Sequence, residues 1–274
     1  MVTAGDEPSG YEVDPGVEDW VRLRIHGSAA RPVVVYLPGL HGDWTLIGAF
    51  RHALGDSVRF VEVVYPRTLT WSLGDYADRL EVALGEAALD RGWILAESFG
   101  SQVAWAFCGS PRRFEIQGLV LAGGFGRHPT PILASFAKWV LASFPKFWLR
   151  IALQGYAGLS RWRFRAAPQA RSDLEEFIRR RTRADREAML HRLQLIAENE
   201  PSALAQKVRV PVHYLTGFWD PIVPWPLVRR WLQSRCPAFR GWRCVLRGDH
   251  NVLSSSPKTA ASIVRHWIGV NPVP

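Results

Sequence analysis

Short runs of apolar, mostly β-branched residues recur along this chain, and the stretches between most of them are patterned as helices. The runs are Val33–Leu37, Phe60–Tyr65, Trp93–Ala96, Leu119–Ala122, Val212–Thr216 and Arg240–Leu246, preceded by a shorter candidate strand at Trp20–Ile25. Val33-Val34-Val35-Tyr36-Leu37 is apolar at successive positions, so a strand made of it has to be covered on both faces. Helical stretches at about Thr45–Leu54, Gly74–Leu89, Ser98–Cys108, Pro226–Ser234 and Pro257–Ile268 supply that cover. Alternating strand and helix implies an α/β fold with a mostly parallel sheet flanked by helices. In open sheets of this kind ligands bind beyond the carboxyl ends of the strands, so chemistry is expected in the loops that leave them.

The alternation fails between Phe125 and about Gln206, where helical patterns follow one another without a strand. The expected organisation is a loose lead over residues 1–17, a core formed by 18–124 and 207–274, and a helical lid inserted at 125–206. At 274 residues the chain is long enough for one large core carrying such an insertion. Ser172-Asp173-Leu174-Glu175 reads as a capping box opening a long helix towards Glu198.

Charge excludes less than its size suggests. The formal net charge is +9, but only four of the 34 Lys and Arg are Lys and the other 30 are Arg, scattered over the whole chain. That distribution reads as compositional bias, and no nucleic-acid reader motif accompanies it, so no nucleic-acid partner is expected. Cys108, Cys236 and Cys244 lack metal-ligand spacing and read as small core residues of a reducing compartment. Met1–Asp19 carries six acids with neither a basic start nor an apolar run, unlike a secretory signal. With no apolar stretch of about 18 residues either, a cytoplasmic protein is expected.

The segment Trp93-Ile94-Leu95-Ala96-Glu97-Ser98-Phe99-Gly100-Ser101-Gln102 is an apolar strand, a small-x-Ser-x-Gly turn and the start of a helix. A serine on so sharp a strand-to-helix turn has its hydroxyl exposed, and the small residues at 96 and 100 let the backbone fold that tightly. The helix start then offers an amide and a positive dipole end to a developing oxyanion. Read without its context, Ser98 would be an ordinary helix N-cap.

A nucleophile on such an elbow works with an acid and a histidine that follow it in that order. Val245-Leu246-Arg247-Gly248-Asp249-His250 ends the last strand and places His250 ahead of the final helix. Of the other histidines, only His41 and His213 fall near a strand end. Val212-His213-Tyr214-Leu215-Thr216-Gly217-Phe218-Trp219-Asp220-Pro221 gives a strand, a glycine turn and an aspartate fixed by proline. Asp249 adjoins His250 and is badly placed to orient its own neighbour's ring. The loop after Leu119–Ala122 reads Gly123-Gly124-Phe125-Gly126 and holds no carboxylate, which leaves Asp220 as the acid. After the first buried strand, Leu37-Pro38-Gly39-Leu40-His41-Gly42 bends at Gly39, directing the Leu40 amide beside that of Phe99 as an oxyanion hole.

Together, Leu-Pro-Gly-Leu-His-Gly, the Ala-Glu-Ser-Phe-Gly elbow, Gly-Phe-Trp-Asp-Pro and Gly-Asp-His resemble the α/β-hydrolase superfamily over about residues 20 to 270. The Glu-Ser-Phe-Gly elbow is similar to those of bacterial esterases and of acyltransferases related to phytyl ester synthases. Ala96 departs from the Gly usual in that group. The resemblance implies an α/β-hydrolase fold and a serine hydrolase acting on a carboxylic ester or thioester, with catalytic Ser98, Asp220 and His250 and no cofactor or metal. Acyl transfer to an alcohol is the alternative, and a non-catalytic ligand-binding homologue the third. Epoxide hydrolase and dehalogenase branches carry an aspartate where Ser98 stands.

Within the insertion, Pro131–Leu141 and on to Leu149 is apolar almost all round, which fits either an acyl-chain pocket or the lid's own core. Trp139 from this run, with His41 and Trp219, is the candidate substrate pocket for a small-molecule acyl ester or thioester. Arginines from Arg161 to Arg186 make the insertion basic, which reads as a solvated face or as a contact for an acyl carrier or a peripheral membrane surface.

Overall fold

The structure, a computed structural model, describes residues 20–127, 176, 177 and 179–270. Its strands are β1 (Arg22–His26), β2 (Val33–Leu37), β3 (Arg59–Val64), β4 (Arg91–Glu97), β5 (Glu115–Ala122), β6 (Val212–Gly217) and β7 (Phe239–Val245). They form one sheet in the spatial order β1-β3-β2-β4-β5-β6-β7. β1 runs antiparallel to β3 and every other pairing is parallel, so six strands present their carboxyl ends at one edge.

Side-chain alternation divides the sheet's apolar residues between two cores. Val35, Leu37, Val61, Ile94, Ala96, Leu119 and Tyr214 face α2 (Leu73–Glu86), α3 (Gly100–Cys108) and α6 (Trp225–Arg235). Val34, Tyr36, Phe60, Leu95, Val120 and Leu215 face α1 (Gly48–Leu54) and α8 (Pro257–Ile268), next to the short α7 (Val252–Ser255). The central runs are continuous in sequence because both faces are covered; each fully buried side chain of Val, Leu or Phe size contributes about 1.5–3 kcal/mol. Glu62 interrupts the β3 run, and it is fully buried yet answered by Arg51 at 2.8 Å and His26 at 3.1 Å.

Between β5 and β6 the described chain holds α4 (Arg183–Glu198) and α5 (Ser202–Lys207). The expected single helix from Ser172 to Glu198 is not formed. Residues 176, 177, 179 and 180 are helical, but Thr182 is extended at φ −107°, ψ 177° and α4 starts afresh after it. The Thr182 hydroxyl accepts from the Asp185 amide at 3.2 Å while the Asp185 carboxylate accepts from the Thr182 amide at 2.7 Å. Arg67 donates to the other Asp185 oxygen at 2.7 Å, so a contact from the core selects this second capping box. Residues 172–175 lie outside the described part, as do Trp139 and the apolar run around it.

Candidate active site

β4 delivers Ser98 to the carboxyl edge, and the turn there is sharper than the sequence suggested. Ser98 stands at φ +47°, a left-handed conformation that is strained for a residue with a side chain. The helix therefore begins two residues later than expected, at Gly100. A Cβ at Gly100 would lie 2.3 Å from the Leu37 carbonyl oxygen, so the bare glycine lets α3 start hard against the end of β2. The Ser98 amide donates to the Ala122 carbonyl at 3.1 Å, and the Ser101 amide returns to the Ser98 carbonyl at 2.9 Å.

Ser98, His250 and Asp220 meet across 152 and 30 residues of chain. His250 Nε2 and Ser98 Oγ are 2.9 Å apart, and His250 Nδ1 and Asp220 Oδ2 are 2.9 Å apart. With Nδ1–H donating to the carboxylate, Nε2 keeps its lone pair for the serine hydroxyl. The second carboxylate oxygen of Asp220 accepts from the amides of Ile222 at 2.9 Å and Val223 at 2.8 Å, so its two oxygens serve different partners. Its side chain is fully buried against the ring. Burial disfavours the imidazolium, but the hydrogen bond and charge of Asp220 outweigh it and hold His250 above the ordinary histidine value. Asp249 turns away, accepting from the Asn251 amide at 3.1 Å. The carboxylate-free loop after β5 has its own reason: a Cβ at Gly123 would lie 2.5 Å from the His250 carbonyl oxygen.

Around the serine, Gly39 lies close by: a Cβ built on it would come 3.5 Å from the Ser98 Cβ and 3.3 Å from His41 Nδ1. Among the described residues, no turn, loop or side-chain hydrogen bond takes the amide of Leu40 or of Phe99. His41 is buried, and desolvation pushes its imidazole down to about 4, so it is neutral at physiological pH. Its Nε2 has no hydrogen-bond partner among the described residues. Trp219 is placed differently from the expectation of a pocket residue: its ring is 64% exposed and packs edge-on against Phe218. His213 is a packing residue, stacked on Trp267 with centroids 4.8 Å apart.

Sequence reasoning missed three side chains. Arg192 of α4 is buried and donates to the carbonyls of Leu40 at 2.7 Å and Pro66 at 2.9 Å and to the Tyr76 hydroxyl at 3.3 Å, fixing the loop after β2 from above. Gln102 of α3 donates to the carbonyls of Phe125 and Gly126, each at 3.0 Å, and accepts from Asn199 at 2.8 Å. Tyr36 donates to the Glu97 carboxylate at 2.5 Å, in a bond wholly buried beneath the nucleophile. Burial raises the Glu97 carboxyl to about 7 against the opposing pull of Tyr36.

A cavity of about 430 Å³ lined by Arg31, Arg59, Asp90 and Arg91 opens at the other end of the sheet. Arg91 starts the strand that ends beside Ser98, so the full length of β4 separates that cavity from the serine. Among the described residues no cluster of His, Cys, Asp and Glu could hold a metal ion, and no helix is long and apolar enough to cross a membrane.

No family model and no curated protein sequence matches the chain. Solved structures do. A hydrolase from Pseudomonas aeruginosa aligns over 91% of this chain and 94% of its own with a TM-score of 0.73 at 14% identity. An esterase from Thermogutta terrifontis aligns over 91% and 93% with a TM-score of 0.70 at 20% identity. An α/β hydrolase from a Medee basin deep-sea metagenome library aligns over 93% and 96% with a TM-score of 0.72 at 15% identity. Likeness over nine-tenths of both chains gives this protein the α/β-hydrolase fold.

Proposed function

We propose that the protein is a serine hydrolase that cleaves a carboxylic ester or thioester through an acyl-enzyme on Ser98. The observation that carries this reading is the unbroken hydrogen-bonded line from Ser98 through His250 to Asp220, anchored on a serine held at φ +47°. His250 Nε2 removes the hydroxyl proton as Ser98 Oγ attacks the acyl carbon. The carbonyl oxygen gains a negative charge that the amides of Leu40 and Phe99 receive. Asp220 stabilises the imidazolium, which then protonates the leaving alcohol or thiol; water repeats the sequence to release the acid. Neutral His41, with a ring nitrogen free of described partners, is the polar wall of the acyl site, and Trp139 is its apolar candidate.

Purified protein should hydrolyse short p-nitrophenyl esters and be labelled by a fluorophosphonate at Ser98. A wild type no more active than Ser98→Ala would overturn the reading. Acyl transfer to an alcohol is the second reading, favoured by the Glu97-Ser98-Phe99-Gly100 elbow, which is similar to that of acyltransferases related to phytyl ester synthases. Ester formation outrunning hydrolysis when donor and alcohol are both supplied would select it.

A further inference from the structure

Exposed apolar side chains are concentrated on one face of this protein. Of nine large hydrophobics that stand exposed among the described residues, five are Phe218, Trp219, Ile222, Leu227 and Leu246. They come from the loop after β6, the first turn of α6 and the loop after β7. Backbone bonds join these segments: the Phe218 amide donates to the Val245 carbonyl at 2.9 Å and the Trp219 amide to the Gly248 carbonyl at 3.0 Å. Beneath them Phe218 packs on Trp225, and Trp225 stacks on Trp242 with centroids 5.1 Å apart. Leu246, 71% exposed, leads this group.

Arginines accompany them: Arg229 and Arg230 on α6 and Arg247 beside Leu246, while the two carboxylates of these loops, Asp220 and Asp249, are buried. Several arginines of the basic insertion are paired with carboxylates within the molecule. Arg180 pairs with Glu176, Arg181 with Asp43, and Arg183 with Glu187. Large exposed apolar patches mark interaction sites, indole rings favour the boundary between lipid and water, and arginines beside them are attracted to acidic headgroups.

We propose that the face formed by the loops after β6 and β7 and by α6 docks on an anionic lipid surface. Trp219, Ile222 and Leu246 would enter the headgroup boundary while Arg230 and Arg247, both exposed, meet lipid phosphates. An acidic protein would satisfy the arginines but leave the exposed alkyl and indole groups in water, so charge and apolar exposure together favour lipid. Docking there brings the loops that bear Asp220 and His250 to the membrane, where hydrophobic acyl groups are found.

The test is flotation of the full chain with phosphatidylcholine vesicles, with and without phosphatidylglycerol. Binding should require phosphatidylglycerol, weaken with salt, and fall roughly tenfold or more both in Arg230→Glu/Arg247→Glu and in Leu227→Ser/Leu246→Ser. Circular dichroism of these surface variants checks that they fold. Ser98→Ala should float like wild type, which separates this inference from the hydrolase reading. Three results would overturn it: no flotation with phosphatidylglycerol, binding unchanged in the leucine pair, which would leave the apolar group without a role, or a dimer abolished by the leucine pair, which would indicate a second copy.

Discussion

Arg192 donates to the carbonyl of Leu40 at 2.7 Å from a helix 152 residues further along the chain, and the donor is almost completely buried. The Leu40 peptide belongs to the loop proposed to hold the oxyanion, so this arginine sets that loop's position without touching the reacting atoms. Arg192→Met should abolish three buried hydrogen bonds and strand their acceptors, lowering stability by about 2–4 kcal/mol. It should also reduce kcat more than it raises KM. Arg192→Lys has one ammonium for three acceptors and should recover stability only in part. Urea midpoints and the kcat against KM split on a p-nitrophenyl ester measure both effects.

Asp220 shares its oxygens between His250 and two backbone amides. Asp220→Asn preserves the shape but presents an amide to one of those donors and removes the charge that favours the imidazolium. The expected fall in kcat is about 10³–10⁴-fold, with little change in KM. Steady-state kinetics beside an unchanged thermal midpoint would separate this loss from misfolding.

Glu97 gives the site an unusual pH dependence. His250 works as a base only when neutral and its pKa is raised, so kcat/KM should climb through an apparent pKa above 6.5. The Glu97 carboxylate is among the charges that raise it, and Glu97→Gln should shift the acid limb to lower pH.

Stability should respond to the same carboxyl. In the folded protein Glu97 holds its proton up to about 7, against an ordinary value of 4.5. The native state therefore binds more protons than the unfolded chain between those limits, and stability falls as pH rises through them. The loss is at most about 3 kcal/mol. Denaturant melts across that window should show this slope in wild type and a weaker one in Glu97→Gln.

Gly100→Ala tests the elbow's geometry. The new Cβ would meet the Leu37 carbonyl oxygen at 2.3 Å, so either α3 or β2 must shift, at a cost of about 1–3 kcal/mol. Activity should drop further than stability does, because the shift carries Ser98 away from His250. Fluorophosphonate labelling rates alongside urea midpoints would show it.

The sequence disclosed what depends on local pattern. Continuous apolar runs marked β2 to β6, the small residues at 96 and 100 marked the elbow, and proline after Asp220 marked a fixed turn. All these signals lie within a few residues of each other. Arg192, Tyr36 and Gln102 were illegible for the opposite reason. Arg192 sits among many other arginines, and what distinguishes it is burial against carbonyls from two loops more than 100 residues away. Nothing local to Glu97 points to its donor Tyr36, 61 residues earlier. The break at Thr182 was hidden because Ser172-Asp173-Leu174-Glu175 matches the same local template, and only the distant Arg67 favours the second cap.

Gln102 holds both ends of the inserted segment with one side chain, binding Phe125 and Gly126 where the chain leaves the core and Asn199 where it comes back. The excursion is thus tied off at its neck, as a pendant is, on the first turn of the nucleophile's helix. A graft that keeps residues up to Gly126 and from Arg181 onward could exchange what lies between them while retaining the hold of Arg181 and Arg192 on the loop after β2. Variation in acyl preference has the same route open to it, through replacement of the stretch before Arg181, with α4 and its buried arginine left in place.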